Sequence, residues 1–287
     1  MKLVILGGTG KMGRWLAKFL KNKGYDVAIH SRSPERAATT SKELQVKYIK
    51  SLDEVQDADI VIVSTSLSST ADVIRDVSKR MKPNSILFDL ASVKGGIIEA
   101  LEEAKSRGIR AISVHPMFGP GTTSLEGKHV LVVPIGTDSE LINEITNLFE
   151  GVETHLLPSG EVHDTMIALT LSLSHFINIV FGQTLSHSNI RELFKFAGTT
   201  FTLQLLLTEA VFSEDPDLYY EIQSQNVVFG KTLDVFIKSV KDVALTIKKK
   251  DRKSFVNYFN QARSSLSKDP NFPKAYIRFY KAYEAIT

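Results

Sequence analysis

The sequence predicts a two-part chain, a doubly wound α/β sheet over residues 1–157 followed by an all-helical segment over 158–287. Three observations carry this expectation. Short apolar runs alternate with amphipathic stretches through the first half, a glycine-rich turn follows the first run, and strand-like runs stop after Pro158.

Taken in order, residues 2–6, 27–30, 60–64, 86–90, 111–115 and 130–135 read as buried strands. Most are rich in Val and Ile, and turn or cap residues bound them. Between them, 11–23, 70–81 and 96–107 carry helical patterns, and strand–helix alternation on this scale argues a parallel sheet. From Val162 onward helical periodicity takes over. Met166, Leu169, Leu173, Phe176, Ile177 and Val180 form one apolar stripe, and Leu233, Phe236, Ile237, Val240, Ala244 and Ile247 form another. Apolar helices of this length need partners, so the second half is expected to bury part of its surface in a dimer.

Composition excludes several classes of function. A net charge of +3 over 287 residues, with Lys248–Lys249–Lys250 as the densest basic run, argues against nucleic acid as a partner. The absence of cysteine removes disulfides, thiolate nucleophiles and cysteine-based metal sites. No uninterrupted apolar stretch approaches the ~20 residues of a membrane span. The run at 3–6 stops at glycines, far short of a signal-peptide core, so a cytoplasmic enzyme is expected.

Gly8-Thr9-Gly10-Lys11-Met12-Gly13 follows the first strand and opens a helix. In a Rossmann unit such glycines permit a tight turn, let the backbone approach a pyrophosphate, and let helix pack on strand. The helix N-terminus meanwhile presents free N–H groups to the phosphates. An NAD site places an acidic residue after the second strand, to hold the ribose 2′-hydroxyl. Here the strand runs into Ser31-Arg32-Ser33-Pro34, with no carboxylate. Arg32 would pair with a 2′-phosphate and Ser31 or Ser33 would add hydrogen bonds, which predicts NADP, with NAD as the alternative. Ser64, ending the run 60–64, joins the expected cofactor contacts.

His115 ends an apolar strand in the run Val114-His115-Pro116-Met117-Phe118-Gly119-Pro120-Gly121. Ligands of open α/β sheets bind outside such strand ends, and imidazole is suited to acid–base work near neutral pH. Asp89-Leu90-Ala91-Ser92-Val93-Lys94-Gly95-Gly96 ends another buried strand. Ser92 is expected to hold a substrate hydroxyl or orient His115, and Lys94 to supply positive charge. His163-Asp164 begins the first long helix, on which Asp164, Ala168, Ser172, His175 and Ile179 share a small, polar face able to line a cleft. His163 reads equally as a helix-start residue. His30, His129, His155 and His187 show no partner pattern, and no metal site is apparent.

With these residues in place, the chain resembles the prephenate dehydrogenase family over nearly its full length. The resemblance rests on GGTGKMG at 7–13, DLASVKG at 89–95, HPMFGPG at 115–121, HD at 163–164 and DPDLYYEI at 215–222. It implies a Rossmann domain joined to a helical dimerisation domain, hence a homodimer, with prephenate or arogenate as the small-molecule substrate. His115 would take the proton of the ring hydroxyl, Ser92 would hold hydroxyl and imidazole in register, and His175 would help line the substrate pocket, with Lys94 and His163 as further substrate contacts. One position departs from the family pattern. Thr202 stands where an arginine usually binds a substrate carboxylate, and a hydroxyl does not replace a bidentate guanidinium. Thr202 is therefore the expected lining of that subsite, with Arg191, Lys195 and Lys231 as substitute cations. The rival expectations are another NADP-dependent oxidoreductase, since residues 1–34 also resemble deazaflavin-dependent NADP reductases, and a non-catalytic NADP-binding paralogue. No regulatory extension is expected, so the resemblance implies a monofunctional enzyme.

Overall fold

The computed structural model describes residues 1–286. Eight strands form one sheet: β1 (Lys2–Leu6), β2 (Asp26–His30), β3 (Lys47–Tyr48), β4 (Ile60–Val63), β5 (Ile86–Asp89), β6 (Arg110–Pro116), β7 (His129–Pro134) and β8 (Glu153–Leu156). Their order is β3-β2-β1-β4-β5-β6-β7-β8, so the strand order reverses at β1, where β2 and β4 lie on either side. Around the sheet run α1 (Lys11–Asn22), α2 (Pro34–Leu44), α3 (Leu67–Ser78), α4 (Ile97–Ser106), α5 (Ser139–Leu148) and α6 (Gly160–Ile167).

The six expected strands are all present, and the sheet is longer by two. One feature corrects the parallel reading: β7 runs antiparallel to β6 and parallel to β8. The connection from Met117 to Lys128 contains no helix, and a parallel return needs a crossover, so the chain comes back as an antiparallel neighbour. The sheet is mostly parallel, and its core joins Leu3, Ile5, Ile29, Ile62, Phe88, Ile112 and Val114 to Leu16 and Leu20 of α1 and Leu141, Ile145 and Leu148 of α5. Alternate residues of each strand point to opposite faces, and both faces of β1, β4 and β5 are buried, as parallel strands between helical layers must be.

The remaining helices are α7 (Leu173–Leu185), α8 (Ile190–Phe194), α9 (Thr199–Phe212), α10 (Pro216–Ser224), α11 (Phe229–Lys248), α12 (Arg252–Leu266) and α13 (Ala275–Glu284). A five-residue π-helical stretch, Ala168–Ser172, precedes α7. The chain folds as two compact units. The first holds Met1–Ile167 together with Tyr220–Val227, and the second holds Ala168–Tyr219 with the residues from Val228 on. The division thus falls later than the change of pattern after Pro158, and a short segment of α10 and the turn beyond it belongs with the sheet.

The expected apolar stripes are only partly covered in the single chain: Phe176 of the first packs edge-on against Phe236 of the second, while other members face outward. Leu169 is 55% exposed, Val180 45%, Val240 50% and Ile247 61%. The small polar face is the one turned inward, with Ala168 and Ser172 fully buried. Gly160–Leu185 is the one helical stretch among the described residues long and apolar enough to cross a membrane, at 26 residues and mean hydropathy 1.6. Its first turns bury His163 and Asp164 in the α/β unit, which is no arrangement for a lipid-facing segment.

Candidate active site

The nucleotide loop is built by close packing. Gly7 has φ +81°, so the left-handed turn falls at the glycine just before the Gly8–Gly13 motif. The Gly7 and Gly8 amides both donate to the His30 carbonyl, at 3.0 and 3.1 Å, which ties the loop to the end of β2. A Cβ on Gly8 would collide with the Ile29 side chain, and one on Gly13 with the Gly7 backbone. Gly10 is the N-cap of α1 and makes no side-chain cap, so the positive end of the helix dipole faces the loop, where a phosphate is favoured. Thr9 Oγ1 donates to Ser31 Oγ at 3.1 Å, and the Ser33 amide donates to the same oxygen at 3.3 Å. Ser33 then caps α2, Arg32 beside it is exposed, and the Ser64 amide bonds the Leu6 carbonyl at 2.8 Å. This cradle fits a dinucleotide: side chains are excluded at Gly8 and Gly13, and no carboxylate stands at the end of β2.

Three strands along the sheet from the loop, about 14 Å at ~4.8 Å per strand, His115 is the last residue but one of β6. Its ring is 4% exposed and lies 3.0 Å, Nδ1 to Nε2, from His163 on α6. His163 Nδ1 in turn lies 2.8 Å from Asp164 Oδ1, which also accepts the Lys94 amide at 2.9 Å. A carboxylate oxygen only accepts, so His163 carries its proton on Nδ1 and offers Nε2 as an acceptor. His115 must then donate from Nδ1, and its Nε2 is the nitrogen left to take a proton. Burial, with Lys94 and His163 nearby, holds His115 well below the usual imidazole range, so the ring is neutral at physiological pH. Burial lowers His163 as well, against the pull of its bond to Asp164.

Two expected contacts take other roles. Lys94 has a fully buried side chain, and its ammonium is spent on Asp89 Oδ2 at 2.9 Å, the Ala91 carbonyl at 2.8 Å and the Val114 carbonyl at 3.0 Å. Three donors and three protein acceptors leave nothing for a substrate, so Lys94 is a strut that fixes the ends of β5 and β6. Burial lowers its pKa, opposed by Asp89, whose other oxygen accepts from Ser113 at 2.6 Å. His163 is fully buried and bonded at both nitrogens, so it orients His115 instead of meeting substrate. Ser92 is half-buried in the loop after β5, and no hydrogen bond joins it to His115 among the described residues. Sequence reasoning missed Asp164 as the anchor of this chain, and Asn226, whose amide donates to the Asp164 carbonyl at 2.8 Å. The only signal was the adjacency of His163 and Asp164.

In the helical unit, Ser172 Oγ and His175 Nδ1 are buried without a hydrogen-bond partner in the protein. The His175 ring packs edge-on against Tyr219 at 4.7 Å, and burial lowers its pKa. Buried polar atoms left open are costly, and His30 Nδ1 and Thr154 Oγ1 share this state. Thr202 lies in α9 and turns its hydroxyl back to the Gly198 carbonyl at 3.2 Å. Arg191, Lys195 and Lys231 are exposed.

Two models of one family match the chain. The prephenate dehydrogenase nucleotide-binding domain matches residues 16–157, and the prephenate dehydrogenase dimerization domain matches residues 159–261. The chain belongs to the prephenate dehydrogenase family. A probable arogenate/prephenate dehydrogenase of Methanocaldococcus jannaschii is 32% identical over 269 residues, 91% of this chain and 60% of that relative. The T-protein of Haemophilus influenzae is 28% identical over 91% of this chain and 66% of its own length. The chain thus spans under two thirds of these relatives. Among solved structures, prephenate dehydrogenase from A. aeolicus in complex with hydroxyphenyl propionate and NAD+ superposes with a TM-score of 0.75 at 22% identity, covering 93% of this chain and 98% of that one, and so shares the fold.

Proposed function

We propose that the protein is an NAD(P)-dependent dehydrogenase that oxidatively decarboxylates prephenate to 4-hydroxyphenylpyruvate, a step of tyrosine biosynthesis. The observation that carries this reading is the Asp164–His163–His115 chain, which leaves a neutral Nε2 at the end of β6, where α/β sheets bind their ligands. In this scheme the substrate hydroxyl gives its proton to His115 Nε2 as its C–H hydride departs. The ring carboxylate leaves as carbon dioxide, and its bonding electrons complete the aromatic ring. A bound nicotinamide supplies the hydride acceptor. Positive charge that grows on His115 is met by the proton order fixed through His163 and, at the end of the chain, by Asp164. Ser92, free of His115, is left to hold the hydroxyl.

The glycine cradle and the start of α1 support a dinucleotide, and the Ser31-Arg32-Ser33 turn supports NADP over NAD, because a serine pair and a guanidinium suit a 2′-phosphate. The outward apolar faces of α7 and α11 support a homodimer through the helical unit, readable by light scattering. Thr202 favours a second reading for the substrate. With its hydroxyl turned back onto the helix, it offers no cation, so either another cation meets the side-chain carboxylate or the substrate differs, and arogenate, which keeps both carboxylates, would not remove that need.

The test is reduced-nicotinamide formation by the purified protein with NADP or NAD, against prephenate and arogenate in turn. NADP-dependent turnover of prephenate supports the proposal, turnover of arogenate alone moves the substrate, and tight NADP binding without turnover of either overturns the enzymatic reading.

A further inference from the structure

His129, Glu153 and His155 form a cluster outside the chain of groups that serves His115. His129 opens β7, and the other two lie on β8, the last strand of the sheet. The parallel register pairs His129 with Glu153 and Leu131 with His155, and alternate residues of a strand share a face, so all three side chains project from one side. His129 Nδ1 is 3.0 Å from His155 Nε2. The Glu153 carboxylate stands 3.6 Å from the first nitrogen and 3.7 Å from the second. One ligand atom from each residue fits within 4.8 Å of the others.

These separations are close to what a metal ion demands. A tetrahedral Zn2+ with donors at ~2.0–2.1 Å spaces those donors about 3.3–3.4 Å apart, so a shift of a few tenths of an ångström would complete the three-ligand face. A plain hydrogen bond between two imidazoles explains one of the three contacts, and the carboxylate that the register places beside both rings is too far from either to hydrogen-bond it. Two imidazoles and one carboxylate are the donor set of open zinc sites, where water takes the fourth position. The side chains are 49%, 66% and 40% exposed, which leaves room for that water. Strand pairing holds both backbones in place, so binding would order little beyond three side chains.

We propose that His129, Glu153 and His155 bind a divalent first-row transition ion, with Zn2+ as its representative. The ion would clamp the four-residue edge strand β8 onto β7. It would also fix both ends of the 117–128 loop, because His129 follows Lys128 and its carbonyl accepts the Met117 amide at 2.9 Å.

The test is calorimetric titration of tag-free, chelator-stripped protein with Zn2+, paired with thermal melting and with Mg2+ as the hard-cation control. The expected result is one Zn2+ per chain, a raised melting temperature and no response to Mg2+. The double substitution His129→Gln with His155→Gln should abolish binding and the shift, while melting without zinc and NADP binding stay as in the unsubstituted protein. Glu153→Gln should weaken binding by roughly tenfold or more. Failure of the unsubstituted protein to bind Zn2+ at micromolar concentration overturns the proposal. So does undiminished binding in the double variant, which would put the ion elsewhere, and unchanged affinity in Glu153→Gln would remove the carboxylate from the site.

Discussion

Asp164→Asn tests whether the histidine pair works as a chain anchored by charge. The substitution keeps shape and keeps an oxygen that can accept from His163 Nδ1 and from the Lys94 amide, so the tautomers survive while the negative charge is lost. Hydrogen bonds of 2.8 and 3.0 Å with one imidazole between them put the carboxylate about 8 Å from the ring that becomes charged. At an effective dielectric constant near ~20, a charge pair at that separation is worth about 2 kcal/mol. Lost from the transition state alone, this lowers kcat about thirtyfold. KM should hardly move, because Asp164 is buried and bonded within the protein. Steady-state kinetics, with melting temperature as the folding control, would read both. A kcat equal to that of the unsubstituted protein, or a defect confined to KM, would refute the chain as drawn.

The buried Lys94–Asp89 pair makes a second prediction: Lys94→Met should destabilise the fold by about 3–5 kcal/mol in urea unfolding, because it strands a buried carboxylate, and Asp89→Asn in the same chain should restore part of the loss. His115, His163 and His175 all titrate below the usual imidazole value of 6.5 in the folded protein, mainly through burial. The unfolded chain therefore binds more protons between the folded and unfolded values. Stability is fully present above about pH 6.5 and falls as the pH drops through that window, which urea midpoints at several pH values would show; a midpoint that rises on acidification would contradict it. Arg32→Ala should weaken NADP by roughly tenfold or more and leave NAD nearly unchanged, as fluorescence titration would reveal.

Where burial and period coincide, the fold was readable from the sequence. β1, β4 and β5 are continuous apolar runs because both faces are covered, and the glycine loop announces itself because side chains cannot fit there. β3 and β8 escaped notice for the opposite reason. Lys47–Tyr48 is two residues long, and Glu-Thr-His-Leu on a half-exposed edge has no apolar run. The helix α2 was hidden by a polar sequence whose Ser-Pro start reads as a turn, although Ser33 and Pro34 are its cap and first residue. Composition gave no sign that Lys94 is buried, since a lysine goes inside only when the fold supplies a paired carboxylate. His115 was legible from its strand end, but its partnership with His163 spans 48 residues of chain and exists only once α6 packs on the sheet. The same holds for His129 and His155, which adjacent strands bring together. The outward stripe on α7 shows a limit of periodicity, which finds an apolar face without telling whether the chain itself covers it.

The most direct test of the account is the rate of reduced-nicotinamide formation from prephenate by His115→Ala beside the unsubstituted protein, with saturating cofactor and equal cofactor affinity confirmed. The account predicts a loss of about 10²–10⁴-fold in kcat with the cofactor still bound. Turnover within a few fold of the unsubstituted protein would contradict it and move the proton acceptor away from the end of β6.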